Sequence, residues 1–334
     1  MKTRYLGTIP VSEIGMGCMG FSHGYGQIPP EEYSVEAIRK AYDFGCTFFD
    51  TAESYGAQLY HPGHNEMLVG KAVKGFREKI ILATKFHFAG ETPSGKEEVE
   101  SVMRRHLEQS MKNLQTDHID LYYLHRVSRA VPVELVAETM GKFMQEGHIC
   151  GWGLSQVGTD TLAKAHAVTP VSAVQNLYNM LERDCEQEVL PFCLENSTGV
   201  VPFSPIASGF LSGKVTADVS FAHADDVRKF VPQLSRDNLA ANEPVLSLLE
   251  QYASKRNATK AQIALRWMLT KYPNIVPIPG SKNQERILEN LGACNVSLDD
   301  EEFAALENAL NHIKIHGHRG HVEFEGSSMK EWNR

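Results

Sequence analysis

Short runs of β-branched and aromatic residues recur along this chain at a pitch of about 20 to 40 residues, mostly alternating with longer segments of helical period, and that alternation marks a parallel α/β fold. The runs are Glu13 to Gly17, Thr47 to Asp50, Ile80 to Thr84, Ile119 to Leu124, Ile149 to Leu154, Val171 to Gln175, Val200 to Phe203 and Ile275 to Ile278. Eight such units favour a closed (β/α)8 TIM barrel over an open sheet. Val99, Val102, Met103, Leu107, Met111 and Leu114 recur at steps of three and four, and so give one apolar helix face. Leu135, Val136, Thr139, Met140, Phe143 and Met144 do the same before Gly147. The last interval is longer: it holds helix candidates near 243–255 and 260–271 and an irregular stretch from 207 to 240, of the kind that is functional or disordered in a compact domain. No linker divides the chain, so residues 1–334 read as one barrel domain with a short N-terminal β-hairpin and a tail, 311–334, over the rim.

Composition excludes other classes. The chain of 334 residues is 42% hydrophobic and 22% charged, which fits a folded globular protein and not a disordered or fibrous one. A net charge of -8 argues against a broad nucleic-acid or anionic-membrane surface. The longest stretch without Asp, Glu, Lys or Arg, Asn196 to Gly213, contains two prolines and three glycines and would make a poor membrane helix. The six cysteines form no CxxC pair, and the first residues carry no signal-like apolar run, so a reduced, cytoplasmic location is expected.

Gly15-Met16-Gly17-Cys18-Met19-Gly20 fits the letters of a GxGxxG dinucleotide fingerprint. That motif requires a helix opening at its third glycine, whereas Phe21 to Pro30 carries two more glycines and two prolines and reads as a loop.

The residues that suggest chemistry lie at or just past three successive strand ends: Asp50 and Tyr55, then Lys85, then His125. Parallel strands of a barrel bring these ends to one rim. A tyrosine that exchanges a proton near neutrality needs a cation beside it, because its ordinary pKa is about 10. Lys85 can be that cation, Asp50 can hold Lys85 charged, and His125 can bond a substrate oxygen. Taken singly, each has a plainer reading as a turn, packing or structural residue. No metal ligand set is expected: the histidines at 312, 316, 318 and 321, and His61 with His64, have no thiol or carboxylate to complete one. Cys185 and Cys193 read as packing thiols on one helix.

Phe48-Phe49-Asp50-Thr51-Ala52-Glu53-Ser54-Tyr55-Gly56, Thr84-Lys85-Phe86, Ile119 to Arg126 and Ile278-Pro279-Gly280-Ser281 with Glu289-Asn290 resemble the aldo-keto reductase family, and the likeness runs from about residue 3 to 310. The resemblance implies an NADPH-dependent carbonyl reductase in which Tyr55 is the general acid, Lys85 and Asp50 tune it, and His125 orients the carbonyl. It implies that Ser155 and Gln175 hold the nicotinamide carboxamide. Gln156 stands where many members have Asn, a departure that could alter this clamp. Phe203 takes the place of the aromatic that stacks on the nicotinamide. The segment Ser204-Pro205-Ile206-Ala207-Ser208-Gly209-Phe210-Leu211-Ser212-Gly213-Lys214 resembles the wrap around the pyrophosphate, with Lys214 as a phosphate cation. The turn into a helix at 280–290 bears Gly280, Ser281, Lys282, Arg286, Glu289 and Asn290, and could bind a 2′-phosphate, favouring NADPH over NADH.

Two other readings stay open. Lys85 could be the Schiff-base nucleophile of a barrel aldolase; alternatively, the chain could be an NADPH-binding regulatory subunit, a branch of the family from which the His125 equivalent is absent. The partner expected is a small carbonyl compound, with no nucleic acid or membrane, and no feature sets an oligomeric state. The pocket loops are the variable parts of such a barrel. Phe21, Tyr25, Phe86, Phe88 and Phe210 suggest an aromatic entrance, with core packing as the alternative.

Overall fold

The structure is a computed structural model and describes residues 1–320. Among the described residues nine strands are formed: β1 Thr3–Leu6, β2 Ile9–Ser12, β3 Met16–Gly17, β4 Phe48–Asp50, β5 Ile81–Phe86, β6 Ile119–Leu124, β7 Ile149–Ser155, β8 Ala173–Gln175 and β9 Gly199–Val200. β1 and β2 make an antiparallel hairpin, and β3 to β9 a parallel sheet in sequence order. The expected run at 275–278 closes the sheet without forming a regular strand. The Val200 and Val276 amides donate to the Asn274 and Val200 carbonyls, and on the far side the Gly15 amide donates to the Pro277 carbonyl. Bridges Val200–Ile275 and Gly17–Gly280 complete the ring. At this seam the backbones nearly touch, since a Cβ on Gly280 would stand 3.1 Å from the Gly17 carbonyl oxygen. Gly15 and Gly17 of the sequence that imitates a dinucleotide fingerprint therefore serve closure; only a 3-10 turn, Met19–Phe21, follows, and the next α-helix opens at Glu31.

β5 and β6 are buried on both faces, as strands of a helix-wrapped parallel sheet must be. Side chains alternate between two cores. Phe48, Ala83, Leu121, Tyr123, Ala173 and Val201 fill the barrel with Leu6, Ile9 and Val11 of the hairpin, which plugs the end where the strands begin. Phe49, Leu82, Tyr122, Leu124 and Val174 face outward to the helices. The helix Lys96–Leu114 buries Val99, Met103, Leu107 and Leu114, and Val133–Gln145 buries Val136, Met140 and Phe143, the faces their periodicity expects.

The long interval also contains the helices Glu243–Arg256 and Lys260–Lys271. Its irregular part is a series of short 3-10 turns and the helix Arg236–Ala241. Cys185 and Cys193 do not share a helix: Cys185 lies in a 3-10 turn, Asp184–Glu186, and Cys193 in the helix Val189–Glu195. Residues 312–320 lie against the long interval, with Gln233 N–H donating to the His318 carbonyl at 3.2 Å and His316 N–H to Asn242 Oδ1 at 2.8 Å. His321 and the rest of the expected tail, 321–334, fall outside the described residues.

Candidate active site

The barrel's alternation places the site. Two residues beyond an inward core residue in each of five successive units comes an inward position at or just past the strand's end, opposite the hairpin. Phe48 is followed by Asp50, Ala83 by Lys85, Tyr123 by His125, Ala173 by Gln175 and Val201 by Phe203. Of these, Asp50, His125, Gln175 and Phe203 line a cavity of about 480 Å³, with Tyr55 and Ser155 also in its wall. Lys85 is fully buried behind that wall, against Asp50 and Tyr55.

Lys85 Nζ donates to Asp50 Oδ1 at 2.5 Å, to the Thr51 carbonyl at 2.7 Å and to Tyr55 Oη at 3.1 Å. Asp50 Oδ2 accepts from Gln175 Nε2 at 2.8 Å, so both carboxylate oxygens are bonded, as suits the ionised form. Burial works against the Lys85 charge, but Asp50 and Tyr55 overcome it and hold the ammonium above the ordinary lysine range. A lysine so held is in the wrong state to be a Schiff-base nucleophile. The Tyr55 result departs from expectation. Its contact with Lys85 is present, yet burial raises the phenol above its usual range and the ammonium only partly offsets this. Tyr55 therefore keeps its proton at rest.

His125 stands edge-on to Tyr55, ring centroids 5.7 Å apart at 80°. Burial, followed by the charges of Arg126, Lys85, His87 and His23, pushes it well below the ordinary histidine range, which makes it a neutral imidazole. Its Nδ1 is buried without a hydrogen bond among the described residues. It can offer a hydrogen bond to an oxygen without competing for a proton.

The cavity continues from these residues past Phe203 to the turn at 280 and the first turns of the helix Gln284–Leu291. Ser155, Gln175, Ser204, Pro205, Ile206, Ser208, Gly209, Lys214, Gly280, Ser281, Lys282, Arg286, Glu289 and Asn290 line it. The backbone at Ser204 (φ 53), Ala207 (φ 49), Ser208 (φ 54) and Gly209 (φ 99) has positive φ, a strained path for the three non-glycine residues. Ser208 Oγ is buried there with no hydrogen bond among the described residues. An orphaned hydroxyl in such a turn, beside Lys214, Lys282 and Arg286, suits a phosphate-bearing group, so the residues fit a dinucleotide.

Several expectations need correction. Gln156 follows the last inward position of its strand and so leaves the lumen: at φ 61 its Oε1 accepts from Leu177 N–H at 3.0 Å, and it does not line the cavity. Leu211 is fully buried in the helix-side core. Gln175 spends its amide on Asp50, and Lys282 donates to the Tyr25 and Gln27 carbonyls at 2.7 and 2.5 Å, tying down the glycine loop. Of the suggested aromatic entrance only Tyr25 lines the cavity, while Phe21, Phe86, Phe88 and Phe210 are core. The sequence reading missed His23, Arg126, Arg228 and Arg319. Arg126 adjoins His125 and could have been found. Arg319 lies 115 positions from Ser204, its partner at 3.4 Å, and no spacing rule points to it.

Fold and site together define a (β/α)8-barrel protein with its chemistry at the strands' C-terminal rim. The Aldo/keto reductase family profile matches residues 13–311. A Glycine max protein named "Probable aldo-keto reductase 1" is 37% identical over 326 residues, 97% of this chain and 92% of that one. The chain belongs to the aldo/keto reductase family, a family of oxidoreductases. Among solved structures, the glycerol dehydrogenase of Gluconobacter oxydans is 25% identical with a TM-score of 0.81, over 96% of this chain and 98% of that one. An aldo/keto reductase of Klebsiella pneumoniae, in complex with NADP and acetate, is 26% identical with a TM-score of 0.72, over 97% of this chain and all of that one. No helix among the described residues is long and apolar enough to cross a membrane.

Proposed function

We propose that the protein uses NADPH to reduce an aldehyde or ketone to an alcohol. The observation that carries this reading is the single ammonium of Lys85, which touches Asp50 Oδ1 at 2.5 Å and Tyr55 Oη at 3.1 Å behind the cavity wall. NADPH, when bound, supplies the hydride. The chain supplies the proton and the setting. Neutral His125 bonds the carbonyl oxygen and fixes its direction, and Tyr55 gives its proton to that oxygen as negative charge builds on it. Lys85 stands against the tyrosinate that remains, and Asp50 keeps Lys85 charged through the cycle. Asp50 and Lys85 are buried, whereas Tyr55 and His125 are half-buried and face the cavity, from which bound cofactor and substrate would displace water. Ser155 and Phe203 are placed to position the nicotinamide, and the left-handed turn at 204–209 to receive the diphosphate. Ser281 and Arg286 favour a cofactor with a 2′-phosphate, in keeping with the NADP bound by the Klebsiella pneumoniae relative. Six free cysteines fit a reducing cytoplasm.

The test is loss of NADPH absorbance against a panel of aldehydes and ketones, with Tyr55→Phe as control. The variant should bind NADPH almost as tightly as the parent and lose about 10²- to 10⁴-fold in kcat. Full activity in Tyr55→Phe would remove the proton donor and this mechanism with it.

A further inference from the structure

The register of two neighbouring strands assembles a second set of donor groups, at the mouth that the hairpin plugs. Ile119 of β6 pairs with Ile149 of β7 and Leu121 with Gly151, so Asp120 and Cys150 stand side by side between them. Both point to the helix side. Asp120 shares the parity of the helix-side residues Tyr122 and Leu124, and Cys150 that of Trp152 and Leu154. His118, two residues before Asp120, falls on the same face. One donor atom from each of His118, Asp120 and Cys150 lies within 4.8 Å of the other two. None of the three lines the cavity that holds Tyr55 and His125.

The surrounding chain occupies one atom of each polar group and leaves the other. Arg77 Nη1 and the Leu82 amide, each at 2.8 Å, both meet Asp120 Oδ2, so Oδ1 has no hydrogen bond among the described residues. Asp117 Oδ1 accepts from His118 Nδ1 at 2.8 Å, which leaves the ring's lone pair on Nε2, the arrangement that orients metal-bound histidines. Nε2 and Asp120 Oδ1 stand 3.6 Å apart. That is too long for a hydrogen bond, and close to the roughly 3.4 Å between two ligands held about 2.1 Å from one tetrahedral ion. Arg77 does not fill the space, because it also bonds Thr116 Oγ1 and the His118 carbonyl and so fixes the segment that carries the imidazole. Cys150 is exposed, and an ion can reach it from solvent.

We propose that His118 Nε2, Asp120 Oδ1 and Cys150 Sγ bind a zinc-type divalent cation, with water in the fourth position. One nitrogen, one sulfur and one carboxylate oxygen suit zinc, whereas magnesium and calcium take oxygen donors. Burial and the Asp120 charge raise the Cys150 pKa, so the thiol holds its proton at neutral pH. Binding forms the metal–sulfur bond and releases that proton to solvent. The ion ties the start of β6 to the start of β7, at the end of the barrel remote from the reacting groups.

The experiment titrates the full chain, freed of metal with a chelator, with Zn²⁺ and with Co²⁺ as a spectroscopic probe. Zn²⁺ should bind in one equivalent with a Kd of about 10 μM or tighter, and Co²⁺ should give a sulfur-to-cobalt charge-transfer band. Cys150→Ser should abolish the band and weaken Zn²⁺ by about 100-fold, as should His118→Gln for affinity, while Asp117→Asn should weaken it by about tenfold. Asp117 is 95% exposed and Cys150 is also at the surface, so without metal these variants should melt with the parent. The proposal is overturned by Zn²⁺ binding weaker than about 10 μM in the parent or by an affinity unchanged in His118→Gln. A band that survives Cys150→Ser overturns it equally, and would put the metal on another thiol such as Cys294. No readout here uses turnover, so the result stands or falls apart from the reductase reading.

Discussion

The two mouths of the barrel both bury a carboxylate against a cation, and they use it differently. Near the strand starts, Asp120 faces Arg77 at 2.8 Å and also accepts from the Leu82 amide at 2.8 Å. Arg77 is spent in turn on the His118 carbonyl and Thr116 Oγ1. Every bond closes on the scaffold, and the hairpin seals that end. At the other mouth Lys85 bonds Asp50 and the Thr51 carbonyl, but its third neighbour is Tyr55, which lines the open cavity. Four of the eight non-glycine residues with positive φ among the described residues also lie at this mouth: Gln156, Ser204, Ala207 and Ser208. Strained backbone persists where the surrounding structure over-determines it, and here half of it lies on one rim of the barrel.

Neutralising each carboxylate in turn should separate the two mouths most strongly. Removing one partner of a buried ion pair leaves the other uncompensated, so Asp50→Asn and Asp120→Asn should each cost about 3–5 kcal/mol of stability at most. Turnover should separate them. Asp50→Asn is expected to lower kcat by about 10²-fold through Lys85 and Tyr55, whereas Asp120→Asn should keep kcat within about twofold per folded molecule. Denaturant titration beside steady-state assays measures both. A comparable loss of turnover in Asp120→Asn would dissolve the distinction between scaffold and site.

What the sequence reveals follows the same division. The barrel was legible because its strands repeat and its helices carry one apolar face each, signals that are local. Asp50, Tyr55, Lys85 and His125 were legible because each sits at or just past a strand end, where the parallel topology fixes which rim it reaches. Gln156 was misplaced for a related reason: a shift of one residue along a strand reverses the side chain, and a resemblance at that position carries no information about the backbone turn at φ 61. The closing segment at 275–280 was found, though it bonds by isolated bridges rather than as a strand. Arg228 and Arg319 come from irregular chain, whose path is set by tertiary contacts and leaves no period to read.

A milder perturbation tests the phosphate end alone. Lys282 is occupied by main-chain carbonyls and Lys214 by Glu289 at 2.8 Å, while Arg286 has no ion pair among the described residues. Arg286→Ala should therefore raise KM for NADPH by about tenfold and that for NADH by less than about twofold, with kcat nearly unchanged. An equal rise for both cofactors would place Arg286 away from the 2′-phosphate.

The smallest effect concerns the join between rim and scaffold. Glu53, three residues past Asp50, accepts the His87 amide at 3.0 Å and His106 Nδ1 at 2.7 Å, and the other nitrogen of His106 meets Glu91 Oε1 at 3.1 Å. His87 stacks toward His125, with centroids 6.1 Å apart, so this carboxylate ties the helix Lys96–Leu114 to the loop behind the active imidazole. Phe86 packs on the His106 ring, and Arg105 shares Glu91. Burial opposes a charge on His106, but the two carboxylates outweigh it and raise its pKa above the ordinary 6.5. Because the folded state binds this proton more tightly than the unfolded chain, the resulting stability is complete below about pH 6.5 and fades as pH rises through the raised folded value. His106→Gln should accordingly melt below the parent at about pH 6, by a few degrees at most, since 1 kcal/mol moves a chain of this size by about 2 °C. The gap should narrow by about pH 9. Melting curves of both proteins across that range decide it: a gap that stays constant means that the ring contributes packing and its charge contributes nothing to the hold on His87.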